Sequence, residues 1–435
     1  MKQSLFLKVG LPLVALTLLF PQGEAKAGGE GFSSTDSKST FDTKGSSSDL
    51  GLGKYSANPF HVSVSVRGGY DDNVDLSPFD ERGSAFTNVA LTLSYDAGSP
   101  RTRIHLDGGV SATYYWDQGN NNFGGQSDDY SVNAWFGFSI VHKATPRLTL
   151  SASVSAAYLS RPGFDTFNNT LFAVDRRSQD FFQTTDKFTV NYAWTPRFAT
   201  ATSYTFSYIN YDDPVISLFE DRYEHTIGNE FRFLILPTTT FVAEYRFGIV
   251  DYVENNNRNS YSHFFLAGVD HSFSPRFNVS FRGGVEVREF QDNPRLVFGN
   301  VDNSEVAPYA EATVNYALGQ NTSITWFNRY ALEQPNVPDA LSRQTYRTSL
   351  GVRHAFTSRI SAGLNFSYQH DWYDQTAALS AFQEDSFDIG LNARYAINRN
   401  WAIDVGYQHT ELVSEMSLFR EFTRNQIYAG ATFTW

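Results

Sequence analysis

Eight short turns of one chemical type punctuate this chain and separate segments that alternate apolar and polar residues. They read Ser99-Pro100-Arg101-Thr102, Thr145-Pro146-Arg147-Leu148, Thr195-Pro196-Arg197-Phe198, Leu236-Pro237-Thr238-Thr239 and Ser274-Pro275-Arg276-Phe277. Leu318-Gly319-Gln320-Asn321, Thr357-Ser358-Arg359-Ile360 and Asn398-Arg399-Asn400-Trp401 complete the series. The spacing is about forty to fifty residues, a fixed-period signal. One long polar connection lies between each successive pair of turns. Short turn, strand, long loop, strand is the pattern of an up-and-down β-barrel in an outer membrane. A helical repeat of similar period needs apolar residues at helical spacing, and these segments lack it.

The alternation is explicit. Ile104, Leu106, Val110, Ala112, Tyr114 and Trp116 share one face, while Arg103, His105, Asp107, Ser111 and Thr113 share the other. Phe387, Ile389, Leu391, Ala393, Tyr395 and Ile397 oppose Asp388, Asn392 and Arg394 in the same way. Period two sustained this far specifies strands with two different faces. A soluble β-sandwich also alternates. Its strands are shorter, about five or six residues, and its apolar faces do not end in Trp116, Tyr158, Trp194 and Trp401 at two rims, the depth aromatic rings prefer in a membrane. Eighteen strands joined by eight short and nine long connections follow. The fold class is all-β: a transmembrane antiparallel barrel with short periplasmic turns, long extracellular loops and both ends in the periplasm.

Composition agrees. No stretch approaches twenty apolar residues and mean hydropathy is -0.35, so a helical membrane protein is excluded and the closed barrel is the other spanning solution. Half of each barrel strand faces away from lipid, which keeps the mean low. Aromatic residues make up 16% of the chain, enough for two girdles. A net charge of -12 argues against nucleic acid as a partner, and the absence of cysteine suits passage through an oxidising periplasm.

Three regions are expected. Residues 1–27 form a signal peptide, with Lys2 and Lys8 before the apolar run Val9 to Phe20 and an Ala25-Lys26-Ala27 cleavage site. Residues 28–57, rich in Gly, Ser, Asp and Lys, read as a flexible periplasmic lead. Residues 58–435 form the barrel. This places the mature protein in the outer membrane of a Gram-negative bacterium, with outer-membrane lipid and lipopolysaccharide as its surroundings. The last strand alternates Ile427, Ala429, Ala431, Phe433 and Trp435. It resembles the C-terminal signal read by the barrel-assembly machinery, with Phe433 and Trp435 as its aromatic elements.

The polar phase of the strands supplies the candidate pore lining: Arg232, Glu244, Arg246, Arg282, Glu286, Arg288, Glu311, Arg329, Arg347 and Arg353. Charge on that face avoids the lipid-facing cost, about 2–4 kcal/mol for Arg or Lys at mid-depth. Such a wall selects solutes by sign and size, or it braces the barrel as a salt-bridge network. The basic lean of the strands between about residues 219 and 357 suggests a mild anion preference. The 162–177 loop, with Phe164, Phe167, Phe172, Arg176 and Arg177, is the candidate constriction or an ordinary surface loop. Acidic residues near the outer rim (Asp71, Asp72, Asp212, Asp213, Asp292, Asp371 and Asp374) read as a solvated rim or as oxygen ligands bridging lipopolysaccharide through divalent ions. No catalytic constellation, phosphate loop or metal-ligand spacing emerges, and no cofactor is expected. No strand face is visibly less lipid-like than the others.

The segment Phe60 to Val74, FHVSVSVRGGYDDNV, ends in Tyr70-Asp71-Asp72-Asn73-Val74. With the Ser/Thr-Pro-Arg turns and the terminal aromatic strand, it resembles the putative β-barrel porin 2 family of Gram-negative bacteria over residues 58–435. The resemblance implies an outer-membrane barrel without catalytic residues. Some relatives accompany polysaccharide synthesis and export, which implies an export barrel working with periplasmic polysaccharide-export proteins as an alternative to a passive porin. A structural or adhesive barrel is the third reading. Tyr115, Trp135 and Phe327 fall on the inward phase, where an exported sugar chain would stack.

Overall fold

The computed structural model describes residues 59–79, 81–117, 130–160, 180–291, 302–337, 340–376, 379–416 and 420–435. The expected signal peptide, the lead, the 162–177 loop and Asp292 lie outside them. The strands are β1 (Phe60–Asp71), β2 (Ser84–Gly98), β3 (Thr102–Tyr115), β4 (Tyr130–Lys143), β5 (Leu148–Leu159) and β6 (Phe181–Thr195). They continue as β7 (Phe198–Tyr211), β8 (Arg222–Leu236), β9 (Thr239–Tyr252), β10 (Ser260–Ser274), β11 (Phe277–Phe290) and β12 (Ser304–Leu318). The last six are β13 (Thr322–Glu333), β14 (Arg343–Ala355), β15 (Ile360–Tyr373), β16 (Phe382–Ala396), β17 (Trp401–Ser414) and β18 (Phe422–Thr434). Each pairs antiparallel with its sequence neighbours, and β18 pairs with β1 from Ser63↔Thr434 to Asp71↔Gln426. The sheet is therefore a closed 18-stranded barrel, as the turn count predicts.

The short turns work through their first residue. Thr145 Oγ1 accepts from the Arg147 and Leu148 amides at 3.2 and 3.0 Å. Thr195, Thr357, Ser99 and Asn398 accept in the same i+2, i+3 pattern. A short polar side chain thus substitutes for a backbone turn partner, while proline presets φ at the next position. Where that chemistry is missing, Gly319 adopts φ +70°, which an L side chain resists.

Register shows the tilt. Starting at Ser63 near the short-turn end of β1, successive partners are Thr92, Gly109, Trp135, Ala157, Gln183 and Ile209. The series ends at Arg222, the first residue at the long-loop end of β8. Moving around the wall therefore climbs from one rim toward the other.

The two faces separate as expected. Val66, Val89, Leu91, Val110, Ile227, Phe265, Leu391 and Ile427 are exposed on the outside. Aromatic rings collect at both ends of this apolar band. Phe198 and Phe233 stack at 4.7 Å and Trp401 meets Phe433 at 4.9 Å at the short-turn end. Tyr114 meets Trp116 at 5.2 Å and Tyr208 stacks on Tyr223 at 4.6 Å at the other. The indole N–H groups of Trp116 and Trp194 donate to Thr87 and Thr200, each at 3.0 Å, so these rings carry no unpaired donor into the interface.

One connection differs from its sequence reading. The β7–β8 connection, one of the nine long loops expected, contains helix α1 (Pro214–Glu220). Asp213 caps it, accepting from the Val215 and Ile216 amides at 2.8 and 3.1 Å, and proline occupies the first helical position, where no amide partner is needed.

Candidate functional site

The inward wall of β8–β15 carries a band of arginine–carboxylate pairs, built partly from a short-range pattern. Glu230/Arg232, Glu244/Arg246 and Glu286/Arg288 are two apart on one strand, so both members project from the same face. Arg232 Nε donates to Glu230 Oε2 at 2.8 Å. Arg246 pairs with Glu244 and reaches the Tyr309 hydroxyl at 3.2 Å, and that hydroxyl donates to Glu311 at 2.8 Å. Arg282 forks onto Asp270 at 2.8 and 3.1 Å. It lies across Gly268 on the neighbouring strand, where a Cβ would strike the Phe281 carbonyl and the arginine side chain. Arg288 Nη2 donates to Glu286 at 2.9 Å, and Ser262 Oγ donates to the same carboxylate at 2.8 Å.

Glu333 is the centre of the band. Arg329, Arg343 and Arg347 converge on it at 3.1, 3.5 and 3.0 Å. Arg343 also pairs with Asp371 at 3.0 Å, and Arg347 Nε donates to Gln369 at 3.0 Å. Three guanidiniums thus share two carboxylates and an amide. Arg353 faces inward two residues from the short-turn end of β14, below this cluster. All ten of the expected lining residues sit on the inward phase of their strands. Glu333 shares that phase, and so do Arg343 and Asp371, which the sequence reading leaves out of the lining.

Above this band the loops turn inward. Arg258, in a single 3₁₀ turn (Asn256–Arg258), is fully buried. It donates to the Val337 carbonyl, donates to the Phe219 carbonyl at 3.3 Å and pairs with Glu220 at 3.5 Å. Tyr252 donates to Gln334 at 3.0 Å. From the opposite side, Tyr373 donates to Asn336 Oδ1 at 2.5 Å, while Arg420 pairs with Glu384 and reaches Asn336 at 3.5 Å. Val337, Ala340, Tyr373, Leu379 and Phe382 form a small core there, with Tyr373 stacked on Phe382 at 4.2 Å. Residues 334–337 are consequently held between the β9–β10 loop and residues of β15, β16 and the β17–β18 loop. Arg258, Asn336 and Arg420 escape a periodicity reading, because whether a loop enters the lumen is decided by tertiary contacts.

The rim acids divide. Asp71 is buried and paired with Arg424, and Asp371 is taken by Arg343 and Thr345. Asp72 accepts from the Asn425 amide and side chain at 2.6 and 2.7 Å. Asp213 caps α1, and Asp212 accepts from the Tyr158 hydroxyl at 2.8 Å. These carboxylates have protein partners, and among the described residues no group of three or more metal-ligating side chains could hold an ion. The divalent-bridge reading of the rim is therefore corrected for Asp71 and Asp371, which point inward.

The expected lumenal rings are largely covered. Tyr115 packs with Val74 and Phe86, and Trp135 packs against Ala157, Leu159, Phe181 and Tyr211. Phe327 lies on the inward phase of β13, between Thr313 and Ser349.

The model of a family described as putative beta-barrel porin 2 matches residues 50–434. No curated protein matches the sequence. Similar solved structures include OccAB4 of Acinetobacter baumannii, with 12% identity and a TM-score of 0.41 over 87% of this chain and 99% of that one. OccK1 (OpdK) of Pseudomonas aeruginosa shows 12% identity and a TM-score of 0.44, covering 86% and 99%. The siderophore receptor PirA of Pseudomonas aeruginosa shows 10% and 0.40, covering 88% and 81%.

Proposed function

Because the chain belongs to the putative beta-barrel porin 2 family, we propose that it is an outer-membrane channel for passive diffusion of small hydrophilic solutes. The observation that carries this reading is the closed 18-stranded wall, with its ion-paired face turned inward and its apolar face outward. Barrels of this strand number leave room for water. The ten arginine and glutamate positions named from the sequence are proposed as the lining, and residues 334–337 as the element that narrows the mouth. Pairing cancels most of the wall's charge. A mild anion preference then comes from the Glu333 cluster, where guanidiniums outnumber carboxylates.

Export of a polysaccharide is the second reading. It asks for lumenal rings with open faces, and the packing of Tyr115 and Trp135 favours diffusion instead. Liposome swelling separates the two. A diffusion channel gives swelling that falls as the sugar grows larger, and no swelling by folded protein overturns it. We further propose cleavage near Ala27 and recognition of Phe433 and Trp435 by the assembly machinery. Sequencing of the mature N-terminus should begin near Gly28.

A further inference from the structure

The wall is not laddered throughout. The β12–β13 ladder climbs from Leu318↔Thr322 and stops at Ala310↔Tyr330, although β12 extends to Ser304 and β13 to Glu333. The ladders on either side run on, to Glu289↔Ser304 and Glu333↔Arg343. Four other short-turn hairpins also pair up to the long-loop end, at Phe181↔Tyr211, Arg222↔Tyr252, Ser260↔Phe290 and Arg343↔Tyr373. Pro308 gives the cause. The Ala317 amide donates to the Arg276 carbonyl and the Phe290 amide to the Asn303 carbonyl, so odd positions of β12 bond toward β11 and even positions toward β13. Pro308 is an even position, opposite Leu332 if the register continued, and it has no amide hydrogen to give. The Leu332 and Glu333 carbonyls accept instead from the Arg288 guanidinium, at 3.3 and 3.5 Å. Ser342 Oγ donates to Glu305 Oε2 at 2.5 Å above the same gap. Period two is lost with the ladder: Ala331, Leu332 and Glu333 are all buried.

Both sides of this gap are apolar. On the lumenal side Phe264, Leu266, Tyr309 and Ala331 pack together, an apolar patch beside the ion-paired band. On the membrane side Pro308 and Val306 are exposed. Tyr330, whose ring meets Trp372 at 5.8 Å, sets the level of the gap at the outer aromatic belt. Two part-exposed cations border the lumenal patch. Arg246 Nη1 donates to the Tyr309 hydroxyl at 3.2 Å, and Arg329 lies opposite Glu311 on the adjoining strand. We propose that the gap is a lateral portal, through which a single-chain amphiphile with an anionic head passes between the lumen and the outer leaflet. The head sits at Arg246 and Arg329, and the chain lies along Phe264, Leu266 and Ala331 toward Pro308. Arg288 is the latch: it holds the end of β13 by side-chain bonds, which part without breaking a ladder. Transfer of the apolar chain from water to lipid drives the exit. This route goes beyond the diffusion of hydrophilic solutes along the barrel axis.

The chain has no cysteine, so in the double variant Pro308→Cys with Leu332→Cys the one disulfide within the chain is the one that staples the gap. The wild type should speed transfer of a fluorescent dodecanoate from the medium into liposomes with lipopolysaccharide in their outer leaflet. Oxidation of the double variant should return the rate to that of protein-free liposomes, and reduction should restore it. Pro308→Ala, which gives the Leu332 carbonyl its donor back, should slow transfer without a disulfide, and it decides the matter if the disulfide does not form. Sugar influx in the swelling assay should stay at the wild-type rate in both variants, because neither position belongs to the proposed lining. Wild-type transfer no faster than in protein-free liposomes, or transfer left unchanged by the formed disulfide or by Pro308→Ala, overturns the portal. Sugar influx that falls in step with transfer also overturns it, because the amphiphile then takes the axial path. Absence of swelling with dodecanoate transfer intact overturns the axial channel instead and leaves the portal standing.

Discussion

Arg424 on the last strand donates from Nε and Nη2 to the Asp71 carboxylate on the first, at 3.1 and 2.5 Å, and both side chains are buried. This fork closes the seam between β18 and β1 at the long-loop end. Its neighbours reinforce it: Asp72 accepts from Asn425, and Asn73 donates to the Thr423 carbonyl at 2.9 Å. Val74 is fully buried against Phe86 and Tyr115. The Tyr70 to Val74 segment, which carries the family resemblance, is therefore the clasp that completes the barrel. Arg424→Ala leaves a buried carboxylate without its guanidinium, and such losses cost about 3–5 kcal/mol. The expected outcome is a lower urea midpoint in detergent, measured by the loss of heat-modifiable mobility. An unchanged midpoint contradicts the clasp.

Arg258 ties three loops together at the mouth. Arg258→Ala removes the donors to Val337 and Phe219 and frees residues 334–337 on that side. Sugar influx in the swelling assay should rise, most for the sugars the wild type admits slowly. A lower influx means that this loop does not narrow the path.

Glu333 neutralises part of the charge of three arginines. Glu333→Gln removes the carboxylate on which all three converge, so the lumen gains positive potential. The reversal potential in a salt gradient should shift toward greater anion selectivity. A shift toward cations contradicts the lining assigned to this cluster.

Neighbouring positions on β1 test the two faces. Val66 is exposed on the outside and Ser65 is buried on the inside. Val66→Arg should lower folding stability in lipid by about 2–4 kcal/mol, the lipid-face cost at mid-depth. Ser65→Arg should cost less, because the lumen offers water and charged partners. Equal losses in equilibrium unfolding would invert the assignment.

Strands and turns were legible because their causes are local. Period two sets the face of each residue, and the Ser, Thr or Asn opening a short turn bonds to amides two and three positions on. The pairs Glu230/Arg232, Glu244/Arg246 and Glu286/Arg288 follow from the same spacing. The inward-turned loops were not legible. Arg258 sits in an Asn-rich connection like any surface loop, and its partner Val337 is 79 residues away. Helix α1 had a local signal in Asp213-Pro214, which a loop reading based on length passes over. The clasp was half legible: Asp71 reads as a rim acid until the seam register brings Arg424 beside it.

Single-channel recording of the purified, folded protein in planar bilayers tests the central claim most directly. A passive channel gives discrete, steady conductance steps whose size scales with salt concentration. Folded barrel that inserts and conducts no ions contradicts the account.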